Sequence, residues 1–235
     1  QVEEIMKQAG QASEELGVEI IGGHTEITPA VTKPVIVSTA IGRGSKWSSQ
    51  QAENMKPGDY ILMTKQAGLE GTGIIAGDFR DELAGFLTDE EFREAAGMLQ
   101  QVSVVREGVI AGKIGTAGMH DITEGGVLGA VWEMCDIAKT GAEVWIDQIP
   151  VAEVTKKICD RFDIDYLRLI SSGSMMIMVH PGVKEQMEQE LKDAGIPVSC
   201  IGRICDREEG IRMVVGNEKI VIAPPASDEL YKVIS

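Results

Sequence analysis

Apolar residues at Val2, Ile5, Met6, Ala9, Ala12 and Leu16 recur at helical spacing, which predicts a helix over 1–16 with Gly17 as its C-cap. Val18 to Ile21 reads as a short strand that Gly22-Gly23 breaks. A second strand, rich in β-branched residues, is expected over 34–42. The turn Lys56-Pro57-Gly58-Asp59 then launches a strand over 60–64, and the glycine-rich turn Gly68 to Gly73 enters an apolar helix at Ile74. Phe92, Ala96, Leu99 and Val102 share one face of an expected long helix over 89–111, which Gly115 to Gly118 breaks. Past Gly126, Leu128, Val131 and Cys135 mark another buried face.

Further along, the alternation over 143–147 predicts a strand, and Val151, Val154, Ile158 and Phe162 predict a helix. The sulfur-rich apolar run over 174–179 reads as a buried central strand, its methionines filling core. A helix over 183–194, strands near 197–204, 211–215 and 218–222, and a short C-terminal helix complete the pattern. Strands and helices interleave, so the expected class is α/β: a mixed sheet layered with helices. Between Gly42 and Gly58 the composition turns polar, and the chain is expected to divide there, into 1–45 and 46–235.

Charge narrows the choice of partner. A net charge of −15 argues against DNA or RNA, and the scattered basic residues offer no stacking platform. A nucleotide remains possible, because backbone dipoles and a metal ion act locally. No apolar run is long enough to cross a membrane, and with no secretory signal in view the cytoplasm is the default. Cys135, Cys159, Cys200 and Cys205 form no CxxC pair. Zinc and a disulfide framework are therefore not expected. Cys135 and Cys159 read as core, while Cys200 and Cys205, near a strand end, leave room for a reactive thiol. Because Gln1 opens inside a helical stripe without a methionine, a fragment lacking its upstream part is expected.

Chemistry concentrates in Met119-His120-Asp121-Ile122-Thr123-Glu124-Gly125-Gly126, which leads into a helix. Free N–H groups and the dipole at such a helix mouth favour an anion. A carboxylate beside it suits a metal-bound phosphate. The plainer alternative is that Asp121 or Thr123 simply caps the helix.

Taken in order, Gly22-Gly23-His24-Thr25-Glu26, Lys56-Pro57-Gly58-Asp59, Gly68-Leu69-Glu70-Gly71-Thr72 and Asp121-Ile122-Thr123-Glu124-Gly125-Gly126 resemble the superfamily of aminoimidazole ribonucleotide (AIR) synthetase. Ile149-Pro150-Val151 and Ser172-Gly173-Ser174 are similar too. That superfamily includes selenophosphate synthetase, thiamine-monophosphate kinase, formylglycinamidine synthetase and a hydrogenase-maturation protein, whose branch is the nearest in pattern. The resemblance implies a two-domain, homodimeric protein that uses ATP and Mg2+ on a small-molecule substrate. On it, residues 1–45 are the tail of the dimerising, ATP-binding N-terminal domain and 46–235 are the C-terminal domain.

The implied roles are uneven. Asp121 and Glu26 would be catalytic, metal-side carboxylates. Gly22, Gly23, His24, Thr25, Thr123, Gly125 and Gly126 would contact nucleotide or phosphate. His24 stands where many relatives carry an acidic or amide residue, and a structural histidine fits it equally well. The hydrogenase-maturation tail Pro-Arg-Ile-Cys is echoed only by the internal Arg203-Ile204-Cys205, so its thiol chemistry is not expected. Two functions stay open: an ATP-dependent enzyme, incomplete and inactive as this fragment, or a non-catalytic binding or assembly module.

Overall fold

The stripe at the start of the chain forms helix α1 (Val2–Leu16). Gly17, at φ 65°, turns its N–H back onto the Glu14 carbonyl, and the Val18 N–H onto that of Ser13. This left-handed stop is the one glycine adopts without steric cost. The protein, a computed structural model described over residues 1–43 and 52–234, forms two compact units, Gln1–Ser45 and Lys46–Ser235.

In the first unit the two expected strands carry no ladder: 18–21 and 34–42 lie outside any strand or helix. Their apolar side chains are largely open to solvent, Ile21 at 80% and Val37 at 87% exposure. Strand propensity alone does not hold a strand, since its N–H and C=O groups need a neighbour to pair with.

The second unit opens with β1 (Tyr60–Thr64), α2 (Leu69–Asp78), α3 (Arg80–Leu83), α4 (Asp89–Gly97) and α5 (Val105–Ile114). Next come β2 (Gly118–Asp121), α6 (Gly126–Ala138), β3 (Gly141–Trp145), α7 (Glu153–Phe162) and β4 (Met175–Val179). It closes with α8 (Lys184–Asp193), β5 (Val198–Cys205), β6 (Ile211–Val215), β7 (Glu218–Val221) and α9 (Tyr231–Ile234). The strands form one sheet in the order β2-β4-β1-β5-β3-β6-β7. Among the described strands only the β3–β6 pair is parallel, so the sheet is mixed, as the interleaved pattern predicts.

Alternation along β1 and β4 divides the core. Ile61, Met63, Met176 and Met178 point to the face covered by α6, where Val127, Val131 and Cys135 meet them. Leu62, Met175, Ile177 and Val179 point to the other face, against Ala111 of α5 and Met187 and Leu191 of α8. Helices α2, α4 and α7 build a third cluster around Leu69, Ala95 and Ile158. Cys135 and Cys159 are buried in these cores, as expected, and burial pushes both thiols up to about 12.

Three elements differ from the pattern. The glycine-rich stretch is mostly helix: α2 begins at Leu69, because Gly71 and Gly73 are packing glycines rather than turn residues. A Cβ would lie 2.4 Å from Leu169 at the first and 2.7 Å from Leu99 at the second. The single helix over 89–111 is two. Thr88 starts α4 with a capping box to Glu91, the chain tightens into a 3-10 turn at Met98–Gln101, and α5 begins afresh. The Lys65 ammonium takes the carbonyls this break releases, donating to Gln101 (3.1 Å), Ser103 (2.8 Å) and, on another segment, Gly173 (2.7 Å). A short polar strand, β2, precedes α6 where the sequence pattern shows only a break.

Candidate functional site

Both β1 and β2 run antiparallel to β4 and flank it, so they end at the same rim of the sheet. Each is followed by glycine in the left-handed region and then a helix. Gly68 (φ 66°) precedes α2, and Gly125 (φ 82°) with Gly126 (φ 61°) precedes α6. The segment 167–174 runs between the two helix starts. Ile170 O accepts the Gly71 N–H (3.0 Å), Leu167 O accepts the Leu128 N–H (3.1 Å), and Ser174 O accepts the Ile122 N–H (2.9 Å). Two helix N-termini thus converge on one stretch of chain, where their dipoles add to a positive potential.

The anion at the mouth of α6 belongs to the protein itself. Asp228, 4% exposed, accepts the Gly125 N–H at 2.7 Å, the Leu230 N–H at 2.8 Å and the Ile170 N–H at 3.3 Å. The Gly126 N–H goes to Thr123 O (3.1 Å). Gly126 is held to glycine by space as well as by φ, since a Cβ would stand 2.6 Å from Leu167 O. So Gly125 and Gly126 shape the turn and anchor its neighbours.

The side chains of the motif stand at the rim with few commitments. The Asp121 side chain is 56% exposed, with His120 Nδ1 at 3.9 Å. His120 in turn approaches Glu133 at 3.5 Å through Nε2 and contacts the Asp121 carbonyl through Nδ1. Thr123 is half-buried. Glu124 accepts a hydrogen bond from the Tyr231 hydroxyl (3.1 Å), which raises the tyrosine above its ordinary range. Neither Asp121 nor Thr123 caps α6 with its side chain. The capping alternative is therefore not what those two residues do.

In the first unit, His24 Nε2 lies 3.3 Å from Glu26 Oε2, both side chains largely exposed. Gly22 and Gly23 have no left-handed φ, and a Cβ at either would meet nothing within 4 Å. No local packing explains either glycine. Thr25 is exposed beside them. The structure therefore groups Asp121, Thr123, Gly125 and Gly126 in one unit, and Gly22, Gly23, His24, Thr25 and Glu26 in the other. Among the described residues, no three His, Cys, Asp or Glu side chains are arranged to hold a metal ion.

Sequence reasoning passed over Asp228, Lys65 and Glu70. Asp228 lies in Pro224-Pro225-Ala226-Ser227-Asp228, an acidic residue at a short helix start that nothing in the pattern ties to Gly125. Lys65, a non-glycine residue at φ 53° directly after β1, follows a strand in sequence like any loop lysine. Glu70 sits in the first turn of α2 with Oε2 buried and without a hydrogen-bond partner. Its position inside the glycine-rich motif is the signal that could have marked it. Cys200 and Cys205 show raised thiols, with burial the first cause of each, which does not favour reactivity.

Comparison with known proteins gives a consistent picture. Residues 56–215 match the model of the AIR synthase related protein, C-terminal domain. A putative hydrogenase expression/formation protein of Methanocaldococcus jannaschii is 25% identical over 99% of this chain and 68% of its own length. Carbamoyl dehydratase HypE of Rhizobium leguminosarum is 25% identical over 77% of this chain and 50% of its own. A crystal structure of HypE from E. coli superposes with a TM-score of 0.65 at 22% identity, over 77% of this chain and 54% of that one. The chain thus spans roughly half to two thirds of the length of these relatives.

Proposed function

The chain belongs to the AIR synthase related proteins through their C-terminal domain, and on that footing we propose that the whole protein is an ATP-dependent enzyme. Its reaction is phosphorylation of an amide-type or related oxygen, which turns that oxygen into a leaving group. Relatives named carbamoyl dehydratase, selenide, water dikinase and phosphoribosylformylglycinamidine synthase support the class. Residues 1–45 are read as the end of a dimerising N-terminal domain and 46–235 as the C-terminal domain. Residues 1–235 alone are inactive on this reading, and the whole protein is a cytoplasmic homodimer.

The observation that carries the proposal is the state of the rim. Asp121 presents an exposed carboxylate whose one ion-pair contact among the described residues is the His120 ring, 3.9 Å away. Thr123, next to it across Ile122, makes no side-chain hydrogen bond within the described residues. Both fit a magnesium-bound phosphate, and the metal-nucleotide would supply the transferable phosphoryl group and neutralise charge on it. In the second unit Asp121 would take a metal-side role and Thr123 would donate its hydroxyl; in the first unit Glu26 would take a metal-side role, with Thr25 and His24 as phosphate contacts. Gly22 and Gly23 would let the backbone approach the phosphates, and Gly125 and Gly126 fix the turn that carries Thr123.

A second reading, a non-catalytic binding or assembly module, draws on one observation. The Gly125 amide, the donor best placed for a phosphate at α6, is already bonded to Asp228. Calorimetric titration of the full-length protein with Mg-ATP separates the two. The enzyme reading expects saturable binding, and its absence leaves only the module.

A further inference from the structure

A cleft of about 620 Å3 opens where four segments meet: Lys65-Gln66 after β1, the helix break at Gln100 to Glu107, Pro150-Val151, and Gly195 to Pro197. None of these residues belongs to the glycine turns of α2 and α6. Main-chain bonds fix its walls, because the Lys65 N–H donates to Pro197 O (3.0 Å) and the Ala67 N–H to Pro150 O (2.9 Å). Arg106 ties α5 to the end of α8, its Nη2 donating to Ala194 O at 2.7 Å. The cleft is built before anything binds, which removes the ordering cost from binding.

Charge within it is uneven. Glu107, its side chain 3% exposed, lies 2.7 Å from Lys65 Nζ. The ammonium already serves three carbonyls, so Glu107 Oε1 has a counter-charge but no aligned hydrogen bond. These two charges cancel, and Arg106 pairs with no carboxylate among the described residues. One guanidinium is therefore the uncompensated charge of the cleft, in a chain whose net charge is −15. Gln66, Gln100, Gln101 and Ser103 line the cleft with it; among the described residues the three glutamine carboxamides make no hydrogen bond, and the Ser103 hydroxyl accepts only the Val105 N–H at 3.4 Å. Amides and a hydroxyl complete the coordination of an oxyanion that a guanidinium grips through two parallel N–H bonds.

The geometry points to a second ligand site here: the cleft binds a small molecule bearing one oxyanion, a carboxylate or a phosphate ester, on Arg106. Its remaining polar groups lie against the glutamine amides and its carbon skeleton against Val151, Ile196 and Pro197. The site is independent of nucleotide handling at the Asp121 rim.

Succinate and ribose 5-phosphate serve as the two probes, titrated into the protein and followed by backbone amide shifts in 15N-labelled chain. Saturable shifts of 65–67, 100–107 and 195–197 with at least one probe are expected, and the probe that binds more tightly identifies the oxyanion. Arg106→Gln should weaken that probe at least tenfold. Gln101→Glu, which places a like charge in the wall of an otherwise intact cleft, should do the same, and it keeps the test valid if Arg106→Gln disturbs folding. No saturable shift with either probe up to 10 mM, about 2.7 kcal/mol of binding at most, overturns the site. So does binding that both variants leave unchanged.

Discussion

Asp228 holds the Gly125 N–H at 2.7 Å with one carboxylate oxygen while its other oxygen takes the amides of Leu230 and Ile170. One buried side chain from the end of the chain thereby fixes the start of α6, the segment 167–174 and its own helix. The anion that a helix mouth favours is here a covalent part of the fold.

Asp228→Ala leaves two buried amides and the part-buried Ile170 amide without an acceptor and should cost about 1–3 kcal/mol or more in urea denaturation, the penalty of unsatisfied donors. Asp228→Asn keeps one acceptor oxygen and should cost less. Equal stability of wild type and Asp228→Ala would mean that water replaces the carboxylate without loss.

Two glycines of similar appearance should respond in opposite directions. Gly126→Ala places a Cβ 2.6 Å from Leu167 O at φ 61° and is expected to destabilise by well over 1 kcal/mol. Gly77→Ala, inside α2 with nothing within 4 Å of the new methyl, should stabilise by about 0.5–1 kcal/mol. Thermal midpoints of the two variants check the contrast.

How far the sequence reaches can be read from such pairs. Alternation around Leu62 and Met175 and the stripe of α6 gave the mixed sheet and its helices, because burial of apolar side chains dictates both period and face. The spacing of glycines does not distinguish Gly71, packed on Leu169, from Gly125, turning at φ 82°. The break between α4 and α5 stayed hidden because it depends on Lys65, some forty residues upstream, and the cap on Gly125 because it comes from position 228. Such non-local polar partners leave no periodic trace. The strand expectation over 18–21 and 34–42 failed for a related reason: local propensity says nothing of what a strand pairs with.

Lys65→Met should be among the most damaging single changes. It strips three carbonyls of their donor and leaves Glu107 as an uncompensated buried charge, a loss of about 3–5 kcal/mol. The double variant Lys65→Met/Glu107→Gln should recover part of that loss, and a double-mutant cycle in urea measures how much.

Glu143 clamps the far side of the sheet. Its Oε2 receives Arg203 through two nitrogens at 3.0 and 2.7 Å, and its Oε1 contacts Lys219. Lys219 first and then Arg203 hold the carboxyl below its ordinary value of 4.5, against the opposing effect of burial. A carboxyl depressed in the folded state adds stability that is complete above the unfolded value and lost as pH falls through the folded one. Glu143→Gln should therefore cost most at neutral pH, and its deficit should shrink as pH drops below 4.5. A deficit that does not change between pH 7 and the acid limb would show that packing, not charge, is what Glu143 contributes.

The most direct test of the proposed function is a paired titration of ATP, with and without magnesium, into the full-length protein and its Asp121→Asn variant. Wild type should bind Mg-ATP at least tenfold more tightly than metal-free ATP, and the variant should lose that preference while keeping its fold. Equal affinities for the two forms in wild type, or a magnesium preference that survives in Asp121→Asn, would contradict a metal-side role for this rim.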